Sequence, residues 1–272
     1  MPPGKLYIVS TPIGNLEDIT IRAIRILKEV DVIAAEDTRR SLKLLNFLGI
    51  SKPLLSYWSE KEKIKTAEII ERLRTGLSVA LISDAGTPGI SDPGALLVRS
   101  AIEEGLSVVP IPGPSALIAA LSVSGLPSDE FTFLGFLPSK AAQRQKKLID
   151  LALESRTLIF YEAPHRIVDT LLDVEEIFDG RKAVLVKEIT KFYEEIVRGT
   201  IAEVLETLKG RTIAGEYVLL VEGKVRGTST MDEALDEIKL FMKKGTGRKE
   251  AARIVADAYG LSKTELYDRS LR

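Results

Sequence analysis

Cysteine is absent from the 272 residues, which removes disulfides, thiolate nucleophiles and cysteine-ligated metal sites together. Histidine occurs once, at His165, so a zinc site of ordinary composition and a histidine-based triad are nearly excluded, and no metal is expected. No apolar run approaches the roughly 18 residues a membrane span needs. The opening MPPGKLYIVS lacks the basic region and apolar core of a signal peptide, so a cytoplasmic protein is expected. Neither sign of charge dominates. With 38 basic and 39 acidic residues the net charge is −1, which argues against non-specific coating of nucleic acid but leaves local basic patches open. The pattern G-x-x-x-x-G-K-[ST] is missing, and no G-x-G-x-x-G follows the first apolar run, so P-loop and ordinary dinucleotide binding are disfavoured. Asp84 and Asp92 supply two carboxylates of the kind phosphoryl transfer needs, but no lysine lies near them in sequence.

What is present is an ordinary globular composition, 45% hydrophobic and 28% charged, at a length suited to two domains and a small appendage. The stretch 79–94, VALISDAGTPGISDPG, stands out. Four apolar residues suited to a buried strand run straight into glycines, prolines, hydroxyls and carboxylates, the composition of a tightly shaped ligand loop. The competing reading is a helix cap, with Asp92 at the cap and Pro93 in the first turn.

Around this stretch, strands are expected at 6–9, 32–35, 53–57, 79–82 and 107–110. They alternate with helices marked by Ile21, Ile24, Leu27 and Val30, by Leu42, Leu45 and Leu48, and by 62–74, 94–104 and 116–123. Short connections between alternating elements predict a mostly parallel sheet covered on both faces. After a break at 122–129, strands are expected at 131–134, 157–161, 183–189, 193–198 and 213–221, with helices at 141–153, 164–178 and 201–208. The short link between 183–189 and 193–198 predicts antiparallel members, hence a mixed sheet. A polar linker at 222–230 precedes helices at 232–243, 248–259 and 262–267 with a helix–turn–helix look. The fold class is therefore α/β, with domains at 1–123 and 129–223 and a helical module at 232–272. From Lys239 onward nine basic residues face four acidic ones, which suits either a packed cationic cap or a phosphate-contacting module.

In one parallel sheet, the loops after the first, second, fourth and fifth strands emerge at the same edge. They carry 11–15, 36–40, 83–92 and 112–115, four polar loops converging on a cleft, whose ligand the residues alone leave open as an unorthodox nucleotide-like molecule.

The segments LYIVSTPIGNLEDIT, IAAEDTRR, LISDAGTPGISDPG, PIPGPSA, FYEAPHR, KEITKFYEE and GEYVLLVEG together resemble the tetrapyrrole methylase superfamily, over residues 4–270. More narrowly, they look like its ribosomal RNA branch, the 16S rRNA (cytidine-2′-O)-methyltransferases. TPIGNLED and SDAGTP depart from the glycine-rich first loop and the GGDP-like fourth loop of the porphyrin-methylating members, which favours an RNA substrate over a macrocycle. The resemblance implies S-adenosyl-L-methionine held between two α/β domains of a homodimer that acts on 16S rRNA within the small ribosomal subunit, with no membrane and no DNA. It implies a donor pocket lined by Pro12, Asp84, Ala85, Gly86, Thr87, Ser115, Ala116, Tyr161 and Tyr217, the two tyrosines being equally readable as core residues.

A ribose hydroxyl is a weak acid, so a carboxylate base is a natural assistant, and Glu36, Asp37 and Glu188 at strand ends are candidates. Arg39 or Lys187 is suited to steadying phosphate or a developing alkoxide. Asp37 is equally suited to helix capping. RNA contact is expected from Arg40 and from the cluster Lys140, Arg144, Lys146 and Lys147, unless that cluster is only a solvated helix face. His165 reads either as a structural histidine or as a substrate contact.

Overall fold

The computed structural model describes residues 2–224 and 231–271. The chain divides into two compact units, one running from the N-terminus to Ala119 with Ile189–Phe192, the other comprising Ala120–Glu188 and the chain from Tyr193 onward.

The first unit alternates β1 (Lys5–Val9), α1 (Ile21–Glu29), β2 (Val32–Ala35), α2 (Thr38–Phe47), β3 (Leu54–Ser56), α3 (Glu62–Arg74), β4 (Val79–Ile82), α4 (Ala95–Glu103) and β5 (Ser107–Ile111), and then enters α5 (Ala116–Ser124). Its five strands are all parallel, in the order β3-β2-β4-β1-β5. Each strand serves two cores because side chains alternate across a sheet. Val79 and Leu81 of β4 pack with Ile69 and Leu73 of α3 and Leu97 of α4, while Ala80 and Ile82 pack with Ala23, Ile26 and Leu27 of α1 and Leu45 of α2. Of the four residues expected on the apolar face of α1, Leu27 and Val30 are buried and Ile24 packs against the core, whereas Ile21 is 88% exposed and Ala23 and Ile26 complete the buried face. Leu42 of α2 is likewise exposed. The α4 cap also differs from expectation. The helix starts at Ala95 after Gly94, whose φ of 142° residues with a side chain rarely adopt, and Glu62 rather than Asp92 accepts the Gly94 N–H at 3.0 Å.

The second unit contains β6 (Phe131–Phe136), α6 (Ala141–Asp150), β7 (Thr157–Glu162), α7 (Ile167–Phe178), β8 (Lys182–Lys187), β9 (Glu195–Thr200), α8 (Ile201–Thr207) and β10 (Tyr217–Val221). Its sheet is mixed, in the order β6-β7-β10-β8-β9, with β6 and β7 parallel and the other neighbours antiparallel. The C-terminal helices α9 (Met231–Lys243), α10 (Arg248–Tyr259) and α11 (Lys263–Arg269) bury Ile238, Phe241, Val255 and Leu266 in the same cluster as Leu171 and Leu219. Arg253 pairs with Asp150, Glu250 and Asp257, so part of the tail's basic excess is spent inside the unit. Of the expected linker, 225–230 lie outside the described residues. The part before them is packed, with the Lys224 N–H donating to the Glu154 carbonyl at 2.7 Å.

Candidate active site

At the carboxyl edge of the first sheet, β1 and β2 lead to α1 and α2 on one face, whereas β4, which lies between them, leads to α4 on the other. Chain paths that diverge in this way leave a crevice, and the β4 loop stands in it. The loop is tied to both neighbours. Thr11 and Gly86 exchange backbone hydrogen bonds at 2.9 and 3.0 Å, and the Thr11 hydroxyl donates to the Ser83 carbonyl at 3.2 Å. The Ser10 and Thr87 hydroxyls meet at 2.8 Å, and Thr87 donates to the Pro114 carbonyl at 3.3 Å, which brings in the loop after β5. On the β2 side, the Asp37 N–H donates to Asp84 at 3.1 Å, the Asp84 N–H to Glu36 at 3.4 Å, and Arg40 pairs with Asp84 at 3.1 Å. Gly86 has φ 76°, and a Cβ there would sit 3.4 Å from the Ile13 side chain. At Gly113 a Cβ would come 2.9 Å from that of Ser10. Two bare backbones therefore line the junction.

Three carboxylates gather here. Burial pushes the Glu36 carboxyl above its ordinary 4.5; Asp92 and Asp84 add to this, while the Asp84 N–H and Arg40 oppose it. Burial likewise raises Asp92 from 3.8, with the Ser83 hydroxyl opposing and Asp84 adding. Asp92 lies in the polar loop expected to line the cleft, and it joins Asp84 there although it is not among the expected catalytic or donor-binding residues. Asp37 behaves differently. It caps α2 by accepting the Arg39 N–H at 2.8 Å, and the Arg39 side chain holds its carboxyl below the usual range. Among the described residues, no group of three or more His, Cys, Asp or Glu side chains could hold a metal ion.

Beside this cluster a pocket of about 190 Å³ is lined by Pro12, Leu16, Arg40, Lys43, Leu44 and Asp84. Pro12 is buried, Ala85 is exposed, and Ser115 and Ala116 are half-buried at the start of α5. The structure thus joins Pro12, Glu36, Asp37, Arg40 and Asp84–Thr87 in one network, which Thr87 links to the loop leading to Ser115 and Ala116.

The remaining expected site residues lie in the second unit. Tyr161 of β7 is half-buried and packs edge-on against Phe133 and Phe136, with centroids at 4.9 and 5.8 Å. Tyr217 of β10 is only 3% exposed and belongs to the core cluster, and burial raises its phenol. Its partners in register are Glu162 and Lys187. Glu188 follows β8 at φ 50° and accepts the Glu216 N–H at 2.8 Å. Lys140, Lys146 and Lys147 are exposed, and so is His165, in the turn before α7, which removes a buried structural role for the histidine. Arg144 is a correction. It is 5% exposed and donates to Asp173 at 2.5 Å, so it is a buried ion pair between α6 and α7 and not an RNA contact.

Most of this chain, from β1 into α8, matches one family model. The chain belongs to the tetrapyrrole (corrin/porphyrin) methylases, whose model covers residues 5–205. Within that family it is 49% identical to the ribosomal RNA small subunit methyltransferase I of Pasteurella multocida, over 98% of this chain and 97% of the relative. The protein of the same name from Halalkalibacterium halodurans is 46% identical, over 97% and 94%. In fold the chain also resembles the uroporphyrin-III C-methyltransferase of Thermus thermophilus, solved in complex with S-adenosylhomocysteine. The TM-score is 0.57 at 21% identity, covering 81% of this chain and 98% of that one.

Proposed function

We propose that this chain methylates the ribose 2′-hydroxyl of a cytidine in the decoding region of 16S rRNA, with S-adenosylmethionine as donor. The observation that carries the reading is the hydrogen-bonded junction of four loops at one sheet edge, in a chain that aligns almost end to end with ribosomal RNA small subunit methyltransferases. The residues fit such a donor. Bare backbone at Gly86 and Gly113 admits close approach to polar atoms, and Pro12, Ala85 and Ala116 offer apolar contact. Asp84, Ala85, Gly86, Thr87, Ser115 and Ala116 hold the donor, and the resemblance adds Tyr161 and Tyr217.

When bound, the donor supplies a methyl group already activated on a sulfonium. What remains for the chain is to orient the hydroxyl and take its proton. Glu36 suits that task best of the three candidate carboxylates, because burial raises its proton affinity whereas Asp37 is committed to Arg39 and Glu188 to the Glu216 N–H. Arg39, Arg40 and Lys187 are available for phosphate, and Lys140, Lys146, Lys147 and His165 form the exposed RNA-facing set. By the same resemblance the protein is a cytoplasmic homodimer. No helix among the described residues is long and apolar enough to cross a membrane.

The test is incubation with labelled donor and either assembled small subunits or free rRNA, followed by mapping of the label. A ribose-methylated cytidine in the decoding region is expected. Label on a base, or no label on either RNA, overturns the proposal.

A further inference from the structure

The pocket beside α2 holds features that the donor site does not use. Its lining combines Pro12 and Asp84, which it shares with the loop junction, with the apolar Leu16 and Leu44 and the cationic Arg40 and Lys43. Arg40, Lys43, Leu44 and Phe47 recur at i, i+3, i+4 and i+7, so they form one stripe along α2. Phe47 is 63% exposed at the far end of that stripe, and Leu16 is 39% exposed beside its start. Lys43 is exposed and makes no salt bridge among the described residues. Arg40 spends one contact on Asp84, and its guanidinium, 69% exposed, keeps further donors for another partner.

We infer that this pocket, on one face of α2, receives the extruded acceptor nucleotide of the RNA, with Lys43 and Arg40 on its phosphates and Phe47 stacked on a neighbouring base. The inference rests on the proposed function and names where that substrate enters. Size and charge both select the occupant. About 190 Å³ lies below the roughly 300–1,000 Å³ of pockets that enclose drug-sized ligands, so the pocket suits a base or a sugar better than the whole methyl donor. Asp84 offsets one of the two cations, and the exposed Lys43 leaves the lining with a positive charge that attracts a phosphodiester. An exposed aromatic beside cations is the arrangement on which single-stranded nucleic acid stacks. A nucleotide in a paired RNA helix must leave its stack to reach such a depression. Entry on the β2 side sets the acceptor against Asp84, across the β4 loop from Thr87 and Pro114.

The experiment compares wild type with Lys43→Ala and Phe47→Ala, both exposed positions that the fold does not need. Binding of a decoding-region RNA fragment is titrated across a salt series, and S-adenosylhomocysteine binding is measured by calorimetry. Lys43→Ala should weaken RNA binding and flatten the plot of log affinity against log salt by about 0.7, one phosphate contact on a single strand. Phe47→Ala should weaken it about fivefold or more with the slope kept, the signature of lost stacking. Affinity for S-adenosylhomocysteine should stay at the wild-type value in both. A drop in that affinity would assign the pocket to the donor. RNA binding equal to wild type in both variants, or a change in oligomeric mass, would assign this face of α2 to something other than RNA; each result overturns the inference and leaves the proposed function standing. A wild type that binds S-adenosylhomocysteine but neither binds nor methylates RNA would overturn both.

Discussion

Thr11 and Gly86 face each other across the loops that follow β1 and β4, each donating its N–H to the other's carbonyl, at 2.9 and 3.0 Å. This two-residue antiparallel bridge sits at the edge of an otherwise wholly parallel sheet. It fixes the β4 loop at the point where the paths of β1 and β4 part. The hydroxyls of Ser10 and Thr87 continue the seam one residue to either side.

That seam is testable at Thr87. Replacing it by valine keeps the shape and removes the hydroxyl that serves both Ser10 and the Pro114 carbonyl. With buried Ser10 left short of a partner, unfolding free energy should fall by about 1–3 kcal/mol, read by urea denaturation. A fall within error of zero would mean that water replaces the hydroxyl without cost.

Arg144 gives a sharper test. Its pair with Asp173 is buried on both sides, and Gln145 adds a bond to the second carboxylate oxygen at 2.9 Å. Arg144→Ala leaves an uncompensated buried charge and should cost about 3–5 kcal/mol, whereas replacing both partners with apolar residues of similar volume should cost much less. Equal losses in single and double variants would contradict the pairing.

The acidic cluster predicts a pH dependence of definite sign. Asp92 and Glu36 have folded-state pKa values raised above 3.8 and 4.5, so each contributes stability that is full below its ordinary value and lost as pH rises through the folded one. Asp92→Asn, which cannot ionise, should therefore gain on the wild type as pH is raised from below 3.8 to neutrality. Urea midpoints of both proteins across that range measure it, and a difference that is constant with pH would remove Asp92 from the cluster.

Exposed lysines on α6 carry the RNA prediction. Replacing Lys140, Lys146 and Lys147 together by alanine should reduce the salt slope of RNA binding by about two. An unchanged slope would place the contact surface elsewhere.

Features whose cause lies within one turn of chain could be read from the sequence. Asp37, read as suited to helix capping, caps α2 through the Arg39 N–H. The parallel and mixed sheets followed from strand spacing. What stayed hidden depends on partners distant in sequence. Arg144 reads as one of four surface cations until Asp173, on the next helix, draws it inside. Asp92–Pro93 reads as a helix start until Gly94 breaks the backbone and Glu62 takes its N–H. The spacing of Ile21, Ile24, Leu27 and Val30 marked the helix and three of its core contacts, but not that Ile21 lies outside while Ala23 and Ile26 lie inside. At the site, the four loops could be named in advance. Which carboxylate sits near which could not.

Calorimetry with S-adenosylhomocysteine on Gly86→Val decides whether the β4 loop holds the donor. A β-branched residue at φ 76° cannot keep the loop's backbone, and its side chain would enter the space between Ile13 and the Pro114 carbonyl. Saturable binding to wild type and none to the variant is expected, with a cooperative unfolding transition retained in both. Undiminished binding to a folded Gly86→Val protein would contradict that role for the loop.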